Sequence, residues 1–193
     1  RRSGAPARTG AKLSLMPASV LTVSGLPGSG TSTACQMLRE SLGWDYVNAG
    51  QIFRDMASEA GMTLAEMGAY AEQNPQVDLQ LDERMIQVAR DRPAVVLEGR
   101  MTGWMAVRGK LSAHKVWLQA SAEIRAERIG LRDGDVAALE QMLARQASES
   151  QRYREHHGID IGDLSVYDSV INTETNEPPA VVAMVLKALG VAT

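Results

Sequence analysis

The residues most suited to chemistry are Gly25-Leu26-Pro27-Gly28-Ser29-Gly30-Thr31-Ser32-Thr33, which follow a β-branched run and lead into a helical one. The spacing fits G-x-x-x-x-G-K-[ST] at Gly25, Gly30 and Ser32, with Thr31 where the pattern has lysine. Glycines let backbone N–H groups converge on phosphate oxygens, and the positive end of the following helix points at the same place. Gly25, Gly28, Ser29, Gly30, Thr31, Ser32 and Thr33 are therefore expected to bind nucleotide phosphates, with the Ser32 hydroxyl on Mg²⁺. An ordinary strand–turn–helix corner also favours Gly and Ser, but four Gly or Pro positions in nine residues argue for the phosphate cradle. Without the lysine, either activity falls or other residues supply the positive charge.

Arginines are the available suppliers. Arg54 lies one turn into a helix that follows a short strand, and Arg100 follows the strand ending at Glu98-Gly99. A polar stretch then carries Arg125, Arg128, Arg132, Arg145, Arg152 and Arg154. Phosphoryl transfer needs positive charge on the equatorial oxygens of the moving group, and the arginine fork binds oxygens bidentately. A surface helix with Arg interleaved among Glu is the other reading of that stretch, so Arg54 and Arg100 are the stronger candidates.

These groups need strands to present them. Ser19–Ser24, Asp45–Val47, Ala94–Glu98, Lys115–Gln119 and Ser169–Asn172 read as strands. Helices are expected over Ala34–Leu42, Gln51–Ala60, Gln76–Arg90 and Pro179–Leu189. Thr63 and Glu66 form a capping box for a helix to about Gln73, Ser121 caps one to Leu131, and Asp135–His157 is a long polar helical stretch. Alternating strands and helices imply an α/β fold, a five-stranded parallel sheet with helices on both faces, and ligands at the carboxyl ends of the strands.

Composition narrows the class. Hydrophobic residues make up 45% and charged residues 22%, a balance that supplies a buried core. The net charge of −3 gives no basis for nonspecific nucleic-acid binding. Cys35 is the one cysteine and His114, His156 and His157 have no zinc spacing, so a reducing, cytoplasmic setting is expected. No apolar run approaches the roughly 20 residues that span a bilayer. Residues 1–15, with Arg1, Arg2, Arg8 and Lys12, read as a flexible basic tail ahead of a single domain over 16–193.

GLPGSGTST (25–33), NAGQIFRDMA (48–57), VVLEGRMTGWM (95–105), IRAERI (124–129) and RQASESQRYREHHGIDIGDLSVYD (145–168), in that order, resemble the archaeal-type cytidylate kinases among the P-loop nucleoside monophosphate kinases. The resemblance runs from about Val20 to near the C-terminus, and some members of the group carry Thr at the position of Thr31. It implies a three-layer P-loop fold that moves the γ-phosphoryl group of ATP·Mg²⁺ to CMP or dCMP, as a monomer or homodimer. It further implies an acceptor-binding segment at about 50–92 and a lid at about 130–158. By position, Arg54 and Arg100 would hold the acceptor phosphate, while Arg128, Arg132, Arg145 and Arg152 would clamp the transferring group. Asp78 and Asp82, one turn apart, are candidates for the cytosine N4 amino group, although acids near a helix start are also favoured by the dipole alone. Another acceptor such as AMP or UMP, a small metabolite, or a nucleotide sensor without catalysis are the alternatives.

With Ser32 on Mg²⁺, Ser32→Ala is expected to lower kcat well beyond any change in ATP Kd. Unchanged turnover would remove Ser32 from that role.

Overall fold

A computed structural model describes residues 19–133 and 138–191; the tail assigned to residues 1–15 lies outside them. Five strands, β1 (Val20–Gly25), β2 (Asp45–Asn48), β3 (Val95–Glu98), β4 (Ala113–Gln119) and β5 (Ser169–Asn172), form one sheet in the order β2-β3-β1-β4-β5. Every pairing is parallel. The helices are α1 (Thr31–Leu42), α2 (Ala49–Glu59), α3 (Leu64–Gln73), α4 (Gln76–Asp91), α5 (Thr102–Arg108), α6 (Ala122–Asp133), α7 (Ala138–His157) and α8 (Pro178–Ala188). None of these helices is long and apolar enough to cross a membrane.

The two-residue period of the strands sorts the core into two faces. Leu21, Val23, Val96, Val116 and Leu118 pack with Ala34, Cys35 and Leu38 of α1 and Val181, Val182 and Val185 of α8. On the opposite face, Val20, Val95 and Leu97 meet Met85 and Ala89 of α4 and Met105 of α5. A third cluster, with Trp117 and Tyr167 at 5.2 Å between centroids, seats Tyr153 of α7 and the segment after it. A small separate core of Met56, Ala57, Met67, Ala71 and Val77 holds α2, α3 and α4 together. Cys35 is a buried thiol, as a small hydrophobe in a helix would be.

Most expected elements stand within a few residues. α1 begins at Thr31 rather than Ala34, because the end of the phosphate loop is itself the first helical turn. The capping box of Thr63 and Glu66 is present with both reciprocal bonds. α5 was not expected, since its seven residues are too few to show a period and include Gly103. Burial makes it a helix: Thr102, Gly103, Met105 and Ala106 face the sheet, and Thr102 Oγ1 lies 2.8 Å from Ser24 Oγ. Gly103 allows this approach, since a Cβ there would collide with the Tyr167 ring. Trp104 and Met105 both take part in apolar clusters.

Gly103→Ala is expected to lower the thermal midpoint, at a cost of about 1–3 kcal/mol for overpacking. Calorimetry checks this, and an unchanged midpoint would mean that the Tyr167 ring yields freely.

Candidate active site

The loop between β1 and α1 turns on two left-handed glycines, Gly28 at φ 82° and Gly30 at φ 88°. At Gly28 no side chain fits, because a Cβ would stand 2.5 Å from the Arg125 carbonyl oxygen. Gly30 is the N-cap of α1 and supplies no side-chain cap, so N–H groups of the first turn keep their capacity for an anion. Pro27, Gly28, Thr31 and Ser32 line a cleft of about 850 Å³. Ser29 is buried beneath the loop, and Thr33 is exposed one residue beyond Ser32.

Thr31 Oγ1 and Ser32 Oγ both donate to Glu98 Oε1 at 2.7 Å. The other Glu98 oxygen, Oε2, accepts from Tyr46 Oη and Asn48 Nδ2. Glu98 therefore joins the ends of β2 and β3 to the first turn of α1, and places a carboxylate against the two hydroxyls. Three hard oxygens at a helix N-terminus suit a small divalent cation that takes its remaining ligands from water and phosphate. Among the described residues no group of three or more His, Cys, Asp or Glu is placed to hold a metal.

Four of the expected arginines line the cleft: Arg54, Arg100, Arg145 and Arg152. Arg54 reaches from α2 and is steadied by Gln51 Oε1 at 2.8 Å. Arg100 donates from Nε to Glu149 Oε2 at 2.9 Å and from Nη1 to the Gly25 carbonyl at 3.4 Å, which puts its guanidinium beside the phosphate loop. Arg145 Nε reaches the other Glu149 oxygen at 2.9 Å. Arg152 lies across Phe53, 5.9 Å from the ring centroid, with Nε 2.9 Å from Asp78 Oδ2 in an ion pair that lacks hydrogen-bond alignment. Arg128 is placed differently, behind the loop, where it donates to Gly28 O, Thr173 Oγ1 and Thr173 O. The Arg132 side chain lies outside what the structure describes.

A model of the cytidylate kinase-like family matches residues 20–175. The chain belongs to that family. It is 45% identical over 172 residues to a cytidylate kinase of Pyrococcus furiosus and 42% identical to one of Halobacterium salinarum, covering 88% of this chain and 88% of each relative. The shikimate kinase of Bacteroides thetaiotaomicron shares the fold at a TM-score of 0.60 with 11% identity, over 89% of this chain and 98% of that one. For a cytidylate kinase-like chain, Thr31 in the lysine position therefore coexists with an otherwise complete phosphate loop.

Several groups around the cleft of this cytidylate kinase-like protein escaped the sequence reading. Glu98 carried a signal, since it stands at the end of a buried strand next to Arg100. Tyr46, Asn48 and Glu149 carried none, because only tertiary contact brings them in. Arg125, which the sequence offers only as one more arginine of the polar stretch, is buried and donates to the Pro27 carbonyl at 3.1 Å.

Asp78 and Asp82 also have partners that were not foreseen. His156 Nδ1 lies 3.3 Å from Asp78 Oδ2, and His157 Nδ1 lies 3.5 Å from Asp82 Oδ2 and 3.3 Å from Arg108 Nη1. Adjacent histidines at the end of α7 thus meet two acids one turn apart on α4. Asp82 also borders a second cavity of about 40 Å³, between α4 and α5, with Asp78, Met85, Thr102 and Met105. Asp168, just before β5, pairs with Lys115 at 2.8 Å.

Burial, then the neighbouring Asp78 carboxylate, pushes the Asp82 carboxyl from 3.8 up to about 6, against the pull of Arg108. A folded-state value above the unfolded one means that the unfolded chain ionises first, so Asp82 costs stability progressively as pH rises from about 4 to 6. Asp82→Asn should therefore gain on the parent by about 2–3 kcal/mol between pH 4 and pH 7. Urea titrations at the two pH values measure it, and a difference independent of pH would contradict the upward shift.

Proposed function

We propose that this chain transfers the γ-phosphoryl group of ATP to CMP or dCMP. The observation that carries the reading is that Arg54, Arg100, Arg145 and Arg152 line the same cleft as the phosphate loop. A protein that only held a nucleotide would not need four guanidinium groups around the space beyond its phosphates. Membership in the cytidylate kinase-like family, with relatives named cytidylate kinase, supports cytidine as the acceptor nucleoside.

In this reading the donor phosphates lie on Gly25–Thr33. Ser32 and Glu98 would hold Mg²⁺, which when bound supplies charge neutralisation at the phosphate oxygens. The positive charge that lysine brings elsewhere comes from the arginines that line the cleft. Arg54 and Arg100 hold the acceptor phosphate, and Arg145 and Arg152 meet the transferring group from α7. Arg128 has a supporting part, fixing the loop through the Gly28 carbonyl. Asp78, on the cleft, and Asp82, on the small cavity beside it, would serve the acceptor base, since a carboxylate accepts from a cytosine amino group. Residues 50–92 act as the acceptor segment and 130–158 as the lid, whose closure excludes water as a competing acceptor. No group forms a covalent link to the phosphoryl group, since positioning and charge suffice for direct transfer.

Release of ADP from ATP·Mg²⁺ with CMP, dCMP, UMP, AMP and GMP offered separately tests the proposal. Turnover is expected with CMP and dCMP and to be at least tenfold lower with the others. A maximum on another acceptor would replace the substrate, and ATP binding without any turnover would favour a sensor.

A further inference from the structure

We propose that Glu149 is a positioning residue that orients Arg100 and Arg145 and makes their placement depend on α7 being seated against the core. This rests on the phosphotransfer reading above.

Both oxygens of the Glu149 carboxylate are engaged, each by the Nε of a different arginine at 2.9 Å. Arg145 is on the same helix four residues earlier, whereas Arg100 belongs to the turn after β3, 49 positions away in sequence. Held through Nε, each guanidinium keeps its terminal nitrogens for other oxygens. One of those on Arg100 already reaches the phosphate loop at Gly25.

The Glu149 side chain is 13% exposed and that of Arg100 22%, so their contact is largely sheltered from water. Burial pushes the Glu149 carboxyl up, and Arg100 and Arg145 outweigh it, holding the carboxyl below its ordinary value. Arg145 is 62% exposed and the weaker partner, because solvent screens it. The pair that matters is the one crossing from α7 to the core. When α7 sits down, Arg100 gains its anchor; when α7 lifts, Arg100 loses it, and so does any phosphate that depends on the Arg100 fork. The bond from Ser148 Oγ to Glu72 on α3 fastens α7 elsewhere on the cleft rim without touching a phosphate-facing cation.

The test is a double-mutant cycle with Glu149→Gln, Arg100→Ala and both together, read by CMP calorimetry, steady-state kinetics and amide exchange along α7. Glu149→Gln should weaken CMP binding at least tenfold, leave ATP Kd within about threefold and raise exchange in α7 severalfold. With Arg100→Ala already present, Glu149→Gln should weaken CMP binding by less than threefold, because its route of action is gone. Glu149→Asp, which keeps the charge, should recover part of the loss, and a thermal midpoint checks that each variant folds. Fully additive losses, equal effects on ATP and CMP, or unchanged α7 exchange would overturn the role of Glu149. Wild-type protein that bound no CMP would instead refute the substrate; the exchange comparison still decides the tie between Glu149 and α7.

Discussion

The parallel pairing of β1 with β3, in the register that sets Val23 beside Glu98, is the constraint on which the rest of the molecule depends. β1 ends in the phosphate loop and β3 ends in Glu98-Gly99-Arg100, so this register delivers both turns to one edge of the sheet. A slip of one residue would turn Glu98 to the other face and remove it from Thr31 and Ser32. The order β2-β3-β1-β4-β5 adds the end of β2, which brings Tyr46 and Asn48 to the same carboxylate. The cleft therefore opens where the strand order reverses, as ligand sites in open parallel sheets do.

Charge in the cleft is arranged in opposed pairs. Four arginines line it, and three of them meet a buried or half-buried acid: Arg100 and Arg145 with Glu149, and Arg152 with Asp78. Cations packed this closely without counter-charges would repel one another and resist burial. With acids paired to them they can crowd around one cleft. The carboxylate at Glu98 has the opposite sign for its setting, facing the phosphate loop itself, which is understandable if a divalent cation mediates between them.

The phosphate loop was legible in the sequence because its function constrains backbone conformation, and glycine spacing records that directly. The strands were legible because each is a short apolar run with turns at its ends. Arg54 and Arg100 stood out for their place just beyond strands. Glu149, by contrast, looked like one more acid in a solvated helix, and only the fold shows that Arg100 lies opposite. The same holds for His156 and His157: adjacent residues on a helix diverge, yet two acids one turn apart on α4 are spaced to meet both. Arg128 reads as one of a row on a helix, and nothing in that row tells that it grips the loop from behind. α5 was hidden because seven residues with a glycine have no helical period, and burial alone makes the turn.

Gly28 stands so near the Arg125 carbonyl that no side chain could come between them, and Arg125 and Arg128 donate to the carbonyls of Pro27 and Gly28. The first turns of α6 and the phosphate loop are thus riveted together. The loop is thereby fixed to α6 independently of α7. A loop held in one conformation loses little conformational entropy when an anion binds it.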